Sequence, residues 1–308
     1  MRTVFLGTSE FAAAVLGQLA GEHGGEATHR PTLVITRPDR PAGRGRKLLS
    51  PPVAGASRAL GIELAQPESV NDAATGELIA SVAPDAVIVC AFGALIKEPL
   101  LSDRELLNVH PSLLPRWRGA APIERAIMAG DEHTGVSIMR LTAGLDSGPV
   151  CLTAEETIDV KDTYGSLSLR LQRIGGELLI AALDTLEHGD ALPFAAQDEQ
   201  LVTYAEKIGP SDRLLDPARP AVELERVVRA LHPHIGARVA LSDGTLLGVH
   251  RAALCEHQSS LGAGVHANSG RLLLGCAHGT LELLVVQPPG KRAMDAAAFL
   301  RGHGLPGA

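Results

Sequence analysis

Five short runs of near-continuous apolar residues recur through the first third of this 308-residue chain: Thr3–Leu6, Thr32–Thr36, Ile62–Ala65, Ala86–Cys90 and Leu106–Val109. Helix-length segments separate them. Phe11–Leu19 carries apolar residues at helical spacing, and Leu78–Val82 closes a second such segment. Strands this short, without polar alternation, are buried on both faces, as in a parallel sheet covered by helices on each side. The expected fold class is therefore α/β, a Rossmann-like and mostly parallel sheet. Val136–Leu141 and Val150–Thr153 add strands, and a long helix from Ser166 to His188 presents Leu167, Leu171, Ile174, Leu178 and Leu179 on one face.

The pattern then changes. Asp190–Asp212 is polar and loop-like, an amphipathic helix follows at Val222–Leu231, and short strands are expected at Ala237–Leu241, Thr245–Ala253, Arg271–Cys276 and Thr280–Val286. Ser242-Asp243-Gly244 and His278-Gly279 supply hairpin turns between them. Several short strands with glycine turns predict a small β-barrel, OB-like in character. The expected organisation is residues 1–189 as one domain, 190–207 as a linker and 208–308 as the barrel. Charge divides along the same line. The chain carries a net −7, but residues 1–204 hold −9 and residues 205–308 hold +2. A protein that coats nucleic acid indiscriminately is excluded, whereas local patches for a polyanion are not.

Other classes fall away on composition. Cys90, Cys151, Cys255 and Cys276 are widely spaced with no C-x-x-C pair, so neither a disulfide framework nor a metal site is expected. The first turn, Gly7-Thr8-Ser9-Glu10, lacks the second and third glycines of a dinucleotide fingerprint. No apolar stretch has the length of a signal or membrane segment, and a cytoplasmic protein with no membrane partner is expected.

Chemistry concentrates at the end of the fifth strand, in Asn108-Val109-His110-Pro111-Ser112-Leu113-Leu114-Pro115-Arg116-Trp117-Arg118-Gly119-Ala120-Ala121-Pro122-Ile123. Residues i and i+2 of a strand project from one face, so Asn108 and His110 address one point in space. That point lies at the carboxyl end of a parallel strand, where open α/β sheets hold ligands. A second segment, Thr142-Ala143-Gly144-Leu145-Asp146-Ser147-Gly148-Pro149, is a glycine-flanked turn with one carboxylate. Spacing alone reads Asp146 as a turn aspartate bonding its own backbone.

Together these segments resemble the 10-formyltetrahydrofolate-dependent formyltransferases, in which an Asn-x-His-Pro-Ser-Leu-Leu-Pro run and a Gly-Leu-Asp-Ser-Gly turn carry the catalytic groups. The resemblance narrows to the branch acting on the methionine of aminoacylated initiator tRNA. Phe5-Leu6-Gly7-Thr8-Ser9-Glu10-Phe11, the basic run from Arg37 to Lys47, the long central motif and Gln287-Pro288-Pro289-Gly290-Lys291 carry it. It implies Asn108, His110 and Asp146 as catalytic residues, and Ser112, Leu113, Leu114 and Pro115 as the lining of the folate pocket. It further implies 10-formyltetrahydrofolate as co-substrate, initiator methionyl-tRNA as partner and no metal; a monomer is expected. The attacking amine would pass through a tetrahedral intermediate bearing an oxyanion, which suits an asparagine amide as donor.

Arg37–Lys47 holds a local net of +4 within an acidic half. The resemblance implies that this inserted loop grips the tRNA acceptor end through Arg40, Arg44, Arg46 and Lys47. With almost no apolar surface, the loop is expected to be mobile until it meets RNA. One departure from the family's pattern stands out: Leu231-His232-Pro233-His234 occupies a place where its members often carry aromatics. Two other functions remain open. A formyltransferase for an amino-sugar nucleotide or glycinamide ribonucleotide would share the Asn–His–Asp centre but need neither the basic loop nor the barrel. A non-catalytic nucleic-acid binder would leave the motif at the strand end unexplained.

Overall fold

The structure is a computed structural model that describes residues 1–21, 29–42, 47–255 and 261–305. The chain forms two compact units. Met1–Pro122, His133–Thr157 and Ser168–Ala205 make the first; Ile123–Glu132, Ile158–Leu167 and Glu206–Ala308 make the second.

The first unit begins β1 (Thr3–Gly7), α1 (Glu10–Leu19), β2 (Leu33–Ile35), β3 (Arg40–Ala42), β4 (Lys47–Leu49), α2 (Pro52–Leu60), β5 (Glu63–Ala65) and α3 (Ala73–Val82). It continues through β6 (Ala86–Cys90), α4 (Leu100–Asp103), β7 (Leu106–His110) and β8 (Arg118–Gly119). After α5 (Pro122–Ala129), whose body belongs to the second unit, come β9 (His133–Arg140), β10 (Val150–Thr157), α6 (Tyr164–Glu187) and β11 (Tyr204–Ala205).

Seven strands form one sheet in the order β10-β9-β7-β6-β1-β2-β5. The five from β5 to β7 run parallel. The last two are antiparallel to their neighbours. β1, β6 and β7 are buried at every residue, as their unbroken apolar composition requires. Chain order reverses between β1 and β6, so a crevice opens at their carboxyl ends. Gly7 serves that packing rather than a nucleotide: a Cβ there would lie 2.6 Å from Phe5 and 2.8 Å from Ala12. Ser9 then caps α1 by accepting from Ala12 N.

Two features of this unit were not legible in the sequence pattern. β3 and β4 pair as a hairpin, so the flanks of the basic run are a two-stranded ribbon rather than bare loop. Segment 190–205, expected as a linker, is bound into the first unit. Val150 and Ala195 exchange backbone hydrogen bonds at 2.9 Å, and β11 pairs in parallel with β8.

The second unit contains α7 (Ala221–Ala230), β12 (Ala237–Ala240), β13 (Leu246–Leu254), β14 (Gly264–Asn268), β15 (Arg271–Gly275), β16 (Thr280–Gln287), β17 (Met294–Asp295) and α8 (Ala296–His303). Its antiparallel sheet runs β12-β13-β16-β15-β14, with β17 on β16. It is the expected small barrel in a curled, half-open form, with β12 and β14 as edges. Leu224, Val227, Val228 and Leu231 of the α7 region pack on Leu247, Leu272, Leu274, Leu281 and Leu283 of the sheet, and Met128 of α5 joins this core. Among the described residues, no helix is long and apolar enough to cross a membrane.

Candidate active site

β7 delivers Asn108 and His110 to the same end of the sheet, and both side chains are nearly buried. They meet the turn carrying Asp146 across a cavity of about 670 Å³. Ser9, Ala91 to Ile96, Pro111, Gly119 and Thr142 to Leu145 complete much of its wall. This cavity sits at the carboxyl ends of β1, β6 and β7, where the strand order places it.

The orientation of His110 follows from its partners. Nε2 lies 2.9 Å from the Trp117 carbonyl, which only accepts, so Nε2 carries a proton. Nδ1 faces Asp146 Oδ2 at 3.7 Å, a separation that becomes an ion pair when Nδ1 is protonated. The same Oδ2 accepts from Gly119 N at 2.9 Å. The Asn108 amide, by contrast, takes no protein partner among the described residues and is left facing the cavity.

Asp146 reaches this position through a strained turn, with φ at 44°. Gln197 clamps it: Nε2 donates to the carbonyls of Asp146 at 2.8 Å and of Gly148 at 2.7 Å. Gln197 Oε1 accepts from buried Arg118 Nε at 2.9 Å. Arg118 also forks onto Glu199, and its hydrogen bonds hold that carboxyl below its ordinary range. Gly148 admits no side chain, because a Cβ would sit 1.9 Å from the Arg140 carbonyl oxygen. Gln197, Arg118 and Gly119 thus belong to the site; Arg118 and Gly119 fall within the central motif, whereas Gln197 lies in the polar run read as a linker and no local pattern announces it.

The structure places other expected residues elsewhere. Ser112, Leu113, Leu114 and Pro115 are absent from the cavity lining. Ser112 Oγ donates to the Arg116 carbonyl, and Ser137 Oγ bridges Ser112 O and Leu114 N. Leu113 folds over Gly135, where a Cβ would approach it to 2.6 Å. Through these contacts the segment is turned onto β9, and the apolar part of this cavity's wall is Val89, Phe92, Ile96 and Leu141. On the basic hairpin, Arg40 pairs with Glu68 at 2.6 Å. Asp39 is held by Gln66 and Ser50, whose hydrogen bonds keep its carboxyl low. Arg44 and Arg46 lie outside the described residues, and only the backbone of Lys47 is described.

Metal-ligand chemistry gathers in one place among the described residues, His29, Asp184 and Glu187; His29 Nε2 pairs with Asp184, and Glu187 pairs with the N-terminal amine. None of the three lines the cavity.

Comparison with known proteins decides the lineage. A family profile described as formyl transferase matches residues 1–183, and a second, formyl transferase C-terminal domain, matches residues 207–304. The chain belongs to the formyltransferase family. Within it, this member is 43% identical to a methionyl-tRNA formyltransferase of Halorhodospira halophila, covering 99% of this chain and 97% of that one. A methionyl-tRNA formyltransferase of Methylococcus capsulatus is 42% identical over 100% and 98% of the two chains. The formyltransferase fold extends to more distant solved structures. HypX from Aquifex aeolicus in complex with tetrahydrofolic acid superposes with a TM-score of 0.68 at 18% identity, over 100% of this chain. This chain spans 48% of the HypX chain. WlaRD, a sugar 3N-formyltransferase, gives a TM-score of 0.64 at 14% identity over 95% of this chain and 99% of the other.

Proposed function

We propose that this chain transfers the formyl group of 10-formyltetrahydrofolate to the α-amino group of methionine on initiator tRNA, acting as a cytoplasmic monomer. The observation that carries this reading is the convergence of an unpartnered amide, an oriented imidazole and a clamped carboxylate on one cavity edge. The near-full-length likeness to methionyl-tRNA formyltransferases supports the choice of amine.

The cavity fits the co-substrate: Val89, Phe92, Ile96 and Leu141 offer an apolar slot for a flat pteridine, beside the polar edge at Asn108. When bound, 10-formyltetrahydrofolate supplies the formyl carbon to be transferred. Asn108 donates an N–H to the formyl oxygen as negative charge builds there, a contribution on the order of 3 kcal/mol for such donors. His110, its Nε2–H fixed by Trp117, takes the proton of the incoming amine at Nδ1. Asp146 then faces the imidazolium and stabilises it until that proton passes to N10 of the folate, as the formyl carbon–N10 bond breaks and tetrahydrofolate leaves. The basic run with Arg40, Arg44, Arg46 and Lys47 contacts the acceptor end of the tRNA, and the second unit adds affinity for the rest. Arg40 exchanges an exposed partner to do so, at a cost of about 0–1 kcal/mol.

The deciding assay mixes protein, 10-formyltetrahydrofolate and one acceptor: initiator methionyl-tRNA, elongator methionyl-tRNA, free methionine or an amino-sugar nucleotide. Initiator methionyl-tRNA is expected to be formylated fastest. Faster formylation of the sugar or of free methionine overturns the reading.

A further inference from the structure

The second unit contains its own cavity, of about 480 Å³, away from any residue given a role above. Its volume lies within the roughly 300–1,000 Å³ of small-ligand pockets. Val228, Leu284 and Val285 make an apolar floor. Around the wall stand Lys161, Arg229 and Arg251, with Glu225 as the lone carboxylate. Glu225 is spent on Arg229 Nε at 2.8 Å, and Arg229 Nη1 is spent on the Asp162 carbonyl at 2.8 Å. That leaves Lys161 and Arg251 as exposed cations without an acidic partner among the described residues.

Two imidazoles complete the wall. His232 and His250 meet edge to face, 6.1 Å between centroids. His250 donates from Nε2 to Gln287 Oε1 at 2.9 Å. The amide is oriented by Gln287 Nε2 donating to the Lys291 carbonyl, so His250 Nδ1 remains an acceptor. His232 Nδ1 is buried and has no hydrogen-bond partner among the described residues. Burial and the nearby histidines hold the His232 ring toward its neutral form. Its neighbour His234 plays no part in the cavity: it stacks on Tyr164 and bonds Glu124 at 2.9 Å.

We propose that this cavity receives a single nucleotide of the bound tRNA, its base over the Val228–Leu284–Val285 floor beside His232 and His250, its phosphate on Lys161 and Arg251. An apolar-floored pocket flanked by two unpartnered cations suits a heterocycle carrying a phosphate better than an aliphatic anion. Imidazole faces and edges are established platforms for unstacked RNA bases. His250 Nδ1 offers an acceptor to a base N–H. The proposal rests on the tRNA reading above and adds a specific contact to it.

The test uses the full chain and reads tRNA binding separately from turnover. Fluorescence anisotropy with labelled, uncharged initiator tRNA gives Kd, and steady-state formylation gives kcat and KM. The double variant Lys161→Ala/Arg251→Ala is expected to weaken tRNA binding about tenfold and to lower the salt slope by about 2. Ala252→Phe, which fills the cavity without changing charge, is expected to raise Kd while leaving the salt slope intact. Folate binding and kcat at saturating tRNA should hold in both. Kd values within twofold of wild type for both variants overturn the proposal. A loss in the double variant alone also overturns it, since that is a surface patch and not a pocket. A pocket that binds free mononucleotide by calorimetry, with unchanged tRNA affinity in the variants, reassigns it to a free nucleotide and likewise overturns it. Failure of the wild type to formylate methionyl-tRNA while still binding it is a failure of the function reading instead, and leaves the binding test standing.

Discussion

His110 is oriented before any ligand arrives, because a carbonyl on one side dictates which nitrogen holds the proton. The proposed role of His110 as base depends on that tautomer. Asn108→Ala, His110→Ala and Asp146→Ala are each expected to cut kcat by about 10²-fold or more, with unchanged circular dichroism. Single-turnover formylation at saturating folate checks this. Gly148→Ala tests the backbone around Asp146. Its Cβ would meet the Arg140 carbonyl oxygen at 1.9 Å, a contact with main chain that no rotamer relieves. The variant should lose at least about 3 kcal/mol of stability or fail to fold, read by urea denaturation. Asn108 and His110 were legible as a pair, since strand geometry alone aligns i and i+2. Asp146 was legible only through the family resemblance and not from spacing, because its direction is set by a left-handed turn clamped from Gln197, far along the chain.

At the level of elements, the segment from 190 to 205 changes meaning most. Its polar composition reads as a tether, yet Gln197 and Glu199 are the groups that fasten the Asp146 turn and Arg118. Gln197→Ala should lower kcat about tenfold with little change in folate Kd, as expected when a catalytic carboxylate is misplaced rather than removed. Gln197→Glu loses the amide donor and should behave like the alanine variant, which a merely space-filling role would not produce. In the second unit, Arg125 of α5 forks onto Asp212 at 2.9 Å and 3.1 Å. That hydrogen bond holds the Asp212 carboxyl below its ordinary value of 3.8. A carboxyl depressed on folding stabilises above its unfolded value and loses that contribution as pH falls through the depressed one. Asp212→Asn should therefore be less stable at pH 7, by about 1 kcal/mol after solvent screening, and equal to wild type in strong acid. Thermal melts between pH 7 and pH 2 follow the convergence. β14 escaped sequence reading because Gly264–Asn268 lacks apolar alternation, as an edge strand can.

For the molecule as a whole, charge is the trait the sequence revealed most directly. A net of −7, with only +2 in residues 205–308, leaves few cations for a polyanion. The logarithm of kcat/KM for methionyl-tRNA should fall against log salt with a slope of about 2–4, not about 10, in a potassium chloride series. What composition could not reveal is the interleaving of the second unit, which takes in 123–132 and 158–167. Those strips are recruited through side chains such as Met128 and Arg125, whose partners lie in residues 206–308. The ribosome releases them well before that partner sequence exists. At about 5–20 residues per second, α5 waits on the order of 5–20 s for the core that Met128 joins. A nascent chain paused near residue 205 thus carries α5 with Met128 still lacking the core it packs into. Translation speed through the last hundred codons sets how long that sticky species lives.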